Sequence, residues 1–474
     1  APCVEICPTT ALYTRADGIV DFDSDRCIGC KSCMQACPYD ALYIDPDTHT
    51  AAKCNYCAHK IDGGYEPACV IVCPVEAIIS GDLDDTNSKI SHLVSEEETI
   101  TRKPEKGTKP NLYYVNGSPE MLDPNATKQD ANYLWSEQSV GVGHFAKYAD
   151  QRASEADNEN LLVQLAMEYS AKTGKPIDQR AIDNVAKEIQ QDIDTKETRR
   201  VYDTPSKGVL WGWEVPAYVW TKAIATGTFL MMAIWHFFNG GIDASSELTG
   251  LIITLVFMGL TGALLVKDLD RPDRFLYVLL RPQWKSWLVR GAYIITGFGG
   301  FVTLKLLDKY FRLGLEWLWW PGAVFAVMGA VYTAFLFNQA RARDLWQIPI
   351  QSAIHMLVHA LMAGSVAMMV IAPETRESMA HILLWGIVLN MFFIAKEIFM
   401  PHDTPDTKKA IHLMTKGYYS KYFWAGIALG SVIPIIILNT MSGSTTLIAG
   451  GLILIGIFLT EFVRIRVPQM IPLS

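Results

Sequence analysis

The sequence predicts two bodies built for different solvents: a small α+β cysteine domain, then an all-α polytopic membrane domain of eight transmembrane helices. Three observations carry this. All ten cysteines fall between Cys3 and Cys73. The long apolar runs begin only near residue 217. The mean hydropathy of +0.16 over 474 residues is high for a chain dissolved in water. The net charge of -8 is mild, and no basic stripe with interleaved aromatics is present, so no nucleic-acid partner is expected. No secretory signal is visible, although the chain starts without methionine and in mid-motif.

Several cysteine spacings are too short for the two residues to bridge each other, which favours metal over disulfides. Cys27, Cys30, Cys33 and Cys37 read C-x2-C-x2-C-x3-C-P, the run in which three close thiolates cap a [4Fe-4S] cubane and the fourth reaches to another cluster. Cys54, Cys57, Cys69 and Cys73 repeat it with the third ligand on a longer loop, and Cys3 and Cys7 give a third C-x3-C-P ending. Zinc would take four thiolates in two C-x2-C knuckles; the C-P endings and the odd count per half speak against it. Each ending is followed by a small and an apolar residue (Thr10 and Ala11, Asp40 and Ala41, Glu76 and Ala77), with short strands such as Gly18 to Phe22 between, as in repeated ferredoxin-like units. Residues 1–116 are thus expected to form an α+β ferredoxin-like iron–sulfur domain.

Crossing the fourth ligands between runs completes one set here, Cys27, Cys30 and Cys33 with Cys7. Cys3 and Cys37 would share a second cluster. Cys54, Cys57 and Cys69 would hold most of a third, and Cys73 would help a fourth. Four clusters take about sixteen thiolates and ten are present, so an upstream segment carrying the others is expected. From Pro2-Cys3-Val4 through "RCIGCKSCMQACPYDA" and "GDLDDTNSKISHL" to "GTKPNLYYV", the domain resembles the four-cluster subunit of molybdopterin oxidoreductases such as polysulfide and dimethyl sulfoxide reductases. The resemblance implies a large catalytic partner that holds a bis-molybdopterin cofactor.

Residues 117–210 read as a polar helical connector without chemistry. Leu161, Leu162, Leu165, Ala166 and Tyr169 share one helical face, and Ile182, Val185, Ile189 and Ile193 share another after Pro176. Residues 211–474 then hold eight segments long and apolar enough to cross a bilayer, near 217–239, 248–267, 288–306, 317–338, 349–371, 379–399, 423–440 and 445–463. An even count puts the cluster domain, the loops near 267–290, 340–348 and 400–421, and the C-terminal tail on one side. Lys and Arg are concentrated there, so the clusters are expected to face the cytoplasm from a bacterial inner membrane.

The run "LLVKDLDRPDRFLYVLLRPQWKSWLVRGAY" (Leu264 to Tyr293) and "GWEVPAYVWTKAIATG" before and into the first span resemble the NrfD-type quinone-interacting membrane subunits. The family usually has Gly where Asp270 stands, and fusion of the two subunits fixes their ratio at one to one.

Ionisable groups within spans are costly and mark function by default. Tyr218 and Lys222, four apart on the first span, and Asp268 at the end of the second could supply two donors and a proton acceptor to a quinone. Alternatively, Lys222 snorkels to the interface and Asp268 pairs with Arg271 or Arg274. His355 and His359 lie one turn apart on the fifth span and cannot take opposite faces of one haem. Only His236 and His381 could form an axial pair, so no haem is expected. A proton relay or interhelical hydrogen bonding suits the fifth-span pair. A proton path could also include His236, Lys396 and Glu397; these last two, like Glu461, could instead form interfacial ion pairs. Trp317, Trp319 and Trp320 read as an interfacial aromatic belt.

The expected role is that of a subunit without a catalytic centre, in a quinone-linked molybdopterin oxidoreductase complex. It would relay electrons through [4Fe-4S] clusters between the catalytic partner and quinone in the bilayer. Redox-coupled proton translocation, or purely structural anchoring of the clusters, are the alternatives.

Overall fold

Three times in the first 80 residues the chain makes the same local turn. After Cys7-Pro8, Cys37-Pro38 and Cys73-Pro74, the residues Thr10, Asp40 and Glu76 take left-handed backbone with φ of 56°, 56° and 47°. Each turn aims the next amide back at a sulfur. Ala41 donates to Cys37 Sγ at 3.5 Å, Ala77 to Cys73 Sγ at 3.1 Å, and the Ala11 amide does the same for Cys7.

The computed structural model describes residues 1–118, 122, 207–402, 404–440 and 443–473. The two amphipathic helices expected around Leu161 and Ile189 lie outside the described residues. Residues 1–115 and 209–473 form one compact unit. In it, strands β1 (Leu12–Thr14) and β2 (Val20–Phe22) pair antiparallel with Tyr13 opposite Asp21. Strands β3 (Leu42–Ile44) and β4 (Ala51–Lys53) repeat the hairpin with Tyr43 opposite Ala52. Helices α1 (Pro2–Ile6) and α2 (Ser32–Ala36) precede the Cys-Pro turns. Ile6, Leu12, Ala36 and Leu42 pack around the thiols as a small core.

Among the described residues, eight helices are long and apolar enough to cross a membrane: Glu214–Asn239, Ala244–Lys267, Trp287–Phe311, Glu316–Gln339, Pro349–Ile371, Pro373–Phe399, Ser420–Thr440 and Gly443–Met470. The first ends on Gly240, left-handed at φ 79°. The second starts on Asp243, whose carboxylate accepts the Ser245 and Ser246 amides. In the seventh, Pro434 has no amide for the Gly430 carbonyl four residues back, and the turn Ala428–Val432 is a π-helix.

The first and fifth spans are the central pair, with 89% and 78% of their apolar stretches buried against 28–50% for the others. In lipid, close packing rather than exclusion from water holds helices together. Gly227 and Gly364 allow it: a Cβ on Gly227 would lie 1.8 Å from the Ala360 carbonyl oxygen, and one on Gly364 2.1 Å from the Gly227 oxygen. At the face away from the cluster domain, buried Lys305 meets Asp308 and Glu316, each at 2.9 Å. Trp319 belongs to this knot and not to an aromatic belt. It is 2% exposed, packs on Phe229 and donates to Glu316, whereas Trp317 and Trp320 are 61% and 66% exposed.

The cluster domain docks on the bundle through all four segments the even span count places on its side. From the second loop, the Asp270 and Arg271 amides donate to the Gly29 and Ile28 carbonyls, and Lys31 pairs with Asp270 at 3.1 Å. Gly29, at φ 68°, admits this approach, since a Cβ there would meet Asp270 Cβ at 2.7 Å. From the fourth, Arg343 donates to Gln35 Oε1 at 2.9 Å. From the sixth, Asp406 meets Lys103 at 3.5 Å, and from the tail the Leu473 carbonyl accepts Arg102 at 2.9 Å. Arg271 and Arg274 donate to the Thr48, Ser24 and Cys27 carbonyls. Part of the basic excess on this side therefore serves docking.

Gly227→Leu is expected to cost about 3 kcal/mol by overpacking the central crossing, read as a lowered thermal midpoint in detergent. Gly299→Ala, whose added Cβ meets nothing within 4 Å, should leave that midpoint nearly unmoved.

Candidate functional site

Cys7, Cys27, Cys30 and Cys33 line one cavity with about 380 Å³ of empty space, walled by Leu12 and Ala51. The Ala51 and Gly29 amides donate to Cys27 Sγ at 3.3 and 3.5 Å. Among the described residues no three Cys, His, Asp or Glu side chains converge on a single ion position. The thiols ring a volume instead, which suits a cubane better than zinc, whose sulfurs lie about 2.3 Å from one point. Burial pushes the Cys30 thiol up to about 12 and the Cys3 thiol up to about 11, so thiolates there need the positive charge that iron supplies. Cys3 lies within electrostatic reach of Cys37. Cys54 and Cys69 are exposed, and Cys57 and Cys73 half-buried. The donor set thus fits the crossed ligand pattern, complete for Cys7, Cys27, Cys30 and Cys33.

An aromatic wall leads from this cavity into the bundle. Trp211 Nε1 donates to the Cys30 carbonyl at 3.2 Å. Its ring stacks on Trp346 at 5.6 Å and lies 5.8 Å from Phe337, and those two rings stack at 4.9 Å. Trp346 and Phe337 in turn line a second cavity, with about 340 Å³ of empty space, beside Met356, Glu397, Glu461 and Arg464. A third, about 250 Å³, lies against Lys222, His359, Trp220 and again Met356 and Glu461.

Apart from Lys222, the charged and imidazole groups of the lining form one connected network drawn from three spans. Arg464 Nη1 donates to His355 Nδ1 at 2.7 Å, and Arg464 Nη2 lies 3.0 Å from Glu397 Oε2. His355 and His359 both direct Nε2 at Asn390 Oδ1, at 2.6 and 2.9 Å. His359 Nδ1 faces Glu461 Oε1 at 3.1 Å. The fifth-span histidines are therefore joined by the sixth-span Asn390 and clamped by the eighth span.

Lys222 does not snorkel. It is 1% exposed and donates to the Ala330 carbonyl at 3.2 Å and to Thr333, with its ammonium 4.4 Å from the Tyr332 ring centre. Tyr218 packs in the cluster that holds Trp211, Phe337 and Trp346. Asp268 is half-buried outside both bundle cavities. The alternative pairing with Arg271 or Arg274 is absent among the described residues, because Arg271 grips Asp273 at 2.9 Å and Arg274 turns to backbone carbonyls. Of the other proton-path residues, Glu397 joins the network. Lys396 stands outside it, half-buried, and His236 sits at the far end of the first span, stacked on Trp319 and 3.8 Å from Glu316. His381 is exposed. The sequence had singled out neither Asn390 and Arg464 nor Trp211 and Trp346. Only an amide inside an apolar helix and the Glu461, Arg464 spacing of three were there to signal them.

Residues 203–472 match the family described as polysulphide reductase, NrfD, and residues 1–83 match the 4Fe-4S dicluster domain. The protein is 47% identical over 115 residues to a polysulfide reductase polypeptide of Wolinella succinogenes, covering 24% of this chain and 60% of that one. It is 42% identical over 125 residues to a tetrathionate reductase component of Salmonella typhimurium, covering 26% and 50%. To the protein NrfC of Escherichia coli it is 48% identical over 117 residues, covering 24% and 52%. It spans about half to three fifths of the length of these curated relatives.

Burial pushes the Asp268 carboxyl up to about 7 against the pull of Lys31. A folded value above the unfolded one favours the protonated form, so this stability is complete below about pH 4 and is lost as pH rises through about 7. The thermal midpoint should fall over that rise, and Asp268→Asn should flatten the fall.

Proposed function

The chain belongs to the polysulphide reductase NrfD family, fused to a 4Fe-4S dicluster domain, and on that premise we propose that it carries electrons between a molybdopterin catalytic subunit and quinone in a bacterial inner membrane, with its clusters on the cytoplasmic side. One observation carries the quinone half: the aromatic contact is unbroken from the Cys30 carbonyl, through Trp211 and Trp346, to a bundle cavity holding a guanidinium and two carboxylates.

Cys7, Cys27, Cys30 and Cys33 would hold one [4Fe-4S] cluster, and Cys3 with Cys37 would ligate a second. Cys54, Cys57 and Cys69 would serve a third, and Cys73 a fourth. Bound there, the clusters supply electrons singly. The protein's own groups do the rest. Amides aimed at Cys27, Cys37 and Cys73 sulfurs stabilise the reduced, more negative state. Trp211 fixes the distance from cluster to bundle. Arg464 offers a charged donor to a quinone carbonyl, and the Glu397 and Glu461 carboxylates paired with it stand where a proton can be relayed to that oxygen. Of the residues first expected at the quinone, Lys222 faces the adjoining cavity and Tyr218 backs the aromatic wall; Asp268 would act from the rim.

A second function, net proton movement across the membrane, is favoured by the buried network of His355, His359, Glu461 and Arg464 within the spans. Proteoliposomes in which quinone turns over without charge movement would exclude it.

In the intact complex, anaerobic addition of a quinol is expected to develop the signal of reduced cubanes in electron paramagnetic resonance. Arg464→Gln should lower kcat/KM for quinone about 10²-fold while dithionite still reduces the clusters. Unchanged quinone kinetics in that variant and in Lys222→Met would leave the bundle as an anchor only. Cys7→Ser should remove one cubane signal and about four iron atoms per chain.

A further inference from the structure

We infer that the His359–Glu461 contact holds one dissociable proton and delivers it to quinone in the cavity that Glu461 lines; this rests on the quinone proposal above. The inference follows from which atoms can donate. A guanidinium has donors only, so His355 Nδ1, 2.7 Å from Arg464 Nη1, must accept. A neutral imidazole that accepts at one nitrogen donates at the other, so His355 Nε2–H donates to Asn390, and the Asn390 atom 2.6 Å away is oxygen. That same oxygen lies 2.9 Å from His359 Nε2, which must donate as well. His359 Nδ1 is left 3.1 Å from Glu461 Oε1, in ion-pair contact but without an aligned hydrogen bond to it or to any other group among the described residues. An imidazole lone pair and a carboxylate lone pair at that distance, on residues each 2% exposed, repel unless one proton lies on either partner.

The surroundings bear on where that proton goes. Lys222 faces the pair from the first span, with Tyr332 of the fourth span beneath its ammonium. His355 stands one turn away on the fifth span, its ring centre 4.4 Å from that of His359. Arg464 Nη1 lies 3.5 Å from Glu461 Oε1 and is itself held by Glu397 of the sixth span. The Lys222 and Arg464 cations stabilise the carboxylate left behind. Glu461 and Met356 are the residues common to both bundle cavities, so a proton on Glu461 is one transfer from a quinone oxygen beside Arg464. In the balanced step, quinone gains two electrons, one at a time from the clusters, and two protons, and its two C=O groups become C–OH. One proton comes from the His359–Glu461 pair and the second from water at the cluster side. The emptied pair, two facing acceptors, then draws a proton back through the cavity lined by Arg464 and Glu397. Quinol oxidation runs the same steps in reverse.

Glu461→Gln keeps the shape of the side chain and removes its dissociable proton. In the intact complex it should lower kcat for quinone turnover by about 10²-fold or more, leave KM nearly unchanged and flatten the pH profile of kcat. Glu461→Asp should recover part of the rate, and dithionite-reduced cubane spectra should match the wild type in both. Wild-type kcat and pH profile in Glu461→Gln would overturn the inference. An infrared pH titration of wild-type complex labelled at histidine and glutamate reads the pair without turnover. One proton held between an imidazole and a carboxyl supports the inference, and none or two overturns it. Failure of the wild type to exchange electrons with any quinone would sink the quinone proposal, while the infrared count would still decide whether the pair stores a proton.

Discussion

A buried guanidinium sets the geometry on which the rest of the molecule depends. Arg343, in the loop after the fourth span, has no carboxylate in contact among the described residues. It gives its hydrogens to Gln35 Oε1 and to the Pro468 and Ile471 carbonyls, and burial pulls it down to about 10. Gln35 lies on α2 between Cys33 and Cys37 and also donates to Gln469 Oε1 at 2.6 Å, while Gln469 accepts the Trp211 amide at 2.9 Å. One knot therefore fixes the cluster helix, the C-terminal segment and the first aromatic ring of the relay. Buried polar groups of this kind are costly unless every donor is met, so the position of each piece is over-determined. Relay distances inherit that stiffness.

What was legible in the sequence is what depends on neighbours along the chain. Thiolate spacing and the Cys-Pro endings are local chemistry, and they appear in the structure as repeated left-handed turns at Thr10, Asp40 and Glu76. Span lengths are set by bilayer thickness, and all eight were visible as apolar runs. The polar network was not, because Asn390, His359 and Glu461 come from three helices and meet only once those helices pack. Lys222 looked like a residue near an interface, since its depth depends on Thr333 and Tyr332 of the fourth span. Trp319 looked like its neighbours Trp317 and Trp320, and only the turn of the helix separates a ring packed on Phe229 from two facing outward.

The central crossing and the network are linked. Where Gly227 and Gly364 let the first and fifth spans touch backbone to backbone, there is no room for a side chain. About one and a half turns toward the cluster side, the same two helices carry Lys222 and His359, with His355 one turn further, and the space between them opens into cavities. Gly430 and Gly456 do likewise for the seventh and eighth spans, the latter being the helix that carries Glu461 and Arg464. Tight contact in one layer thus supports polar groups in the next, where a looser bundle would leave charged side chains facing lipid.

The docking of the cluster domain on four separate segments of the bundle also bears on biogenesis. Cys7, Cys27 and Cys33 are buried once the two parts have met, and Trp211 and Ser286 already hold the Cys30 and Ile6 carbonyls at the seam. On the proposed cluster ligation, thiols this close to the seam would be loaded with iron and sulfide more readily while the domain is still free of the newly inserted helices. Maturation of the metal centre would then act as a checkpoint on membrane assembly, with a polypeptide that misses its delivery left unable to close and open to proteolysis.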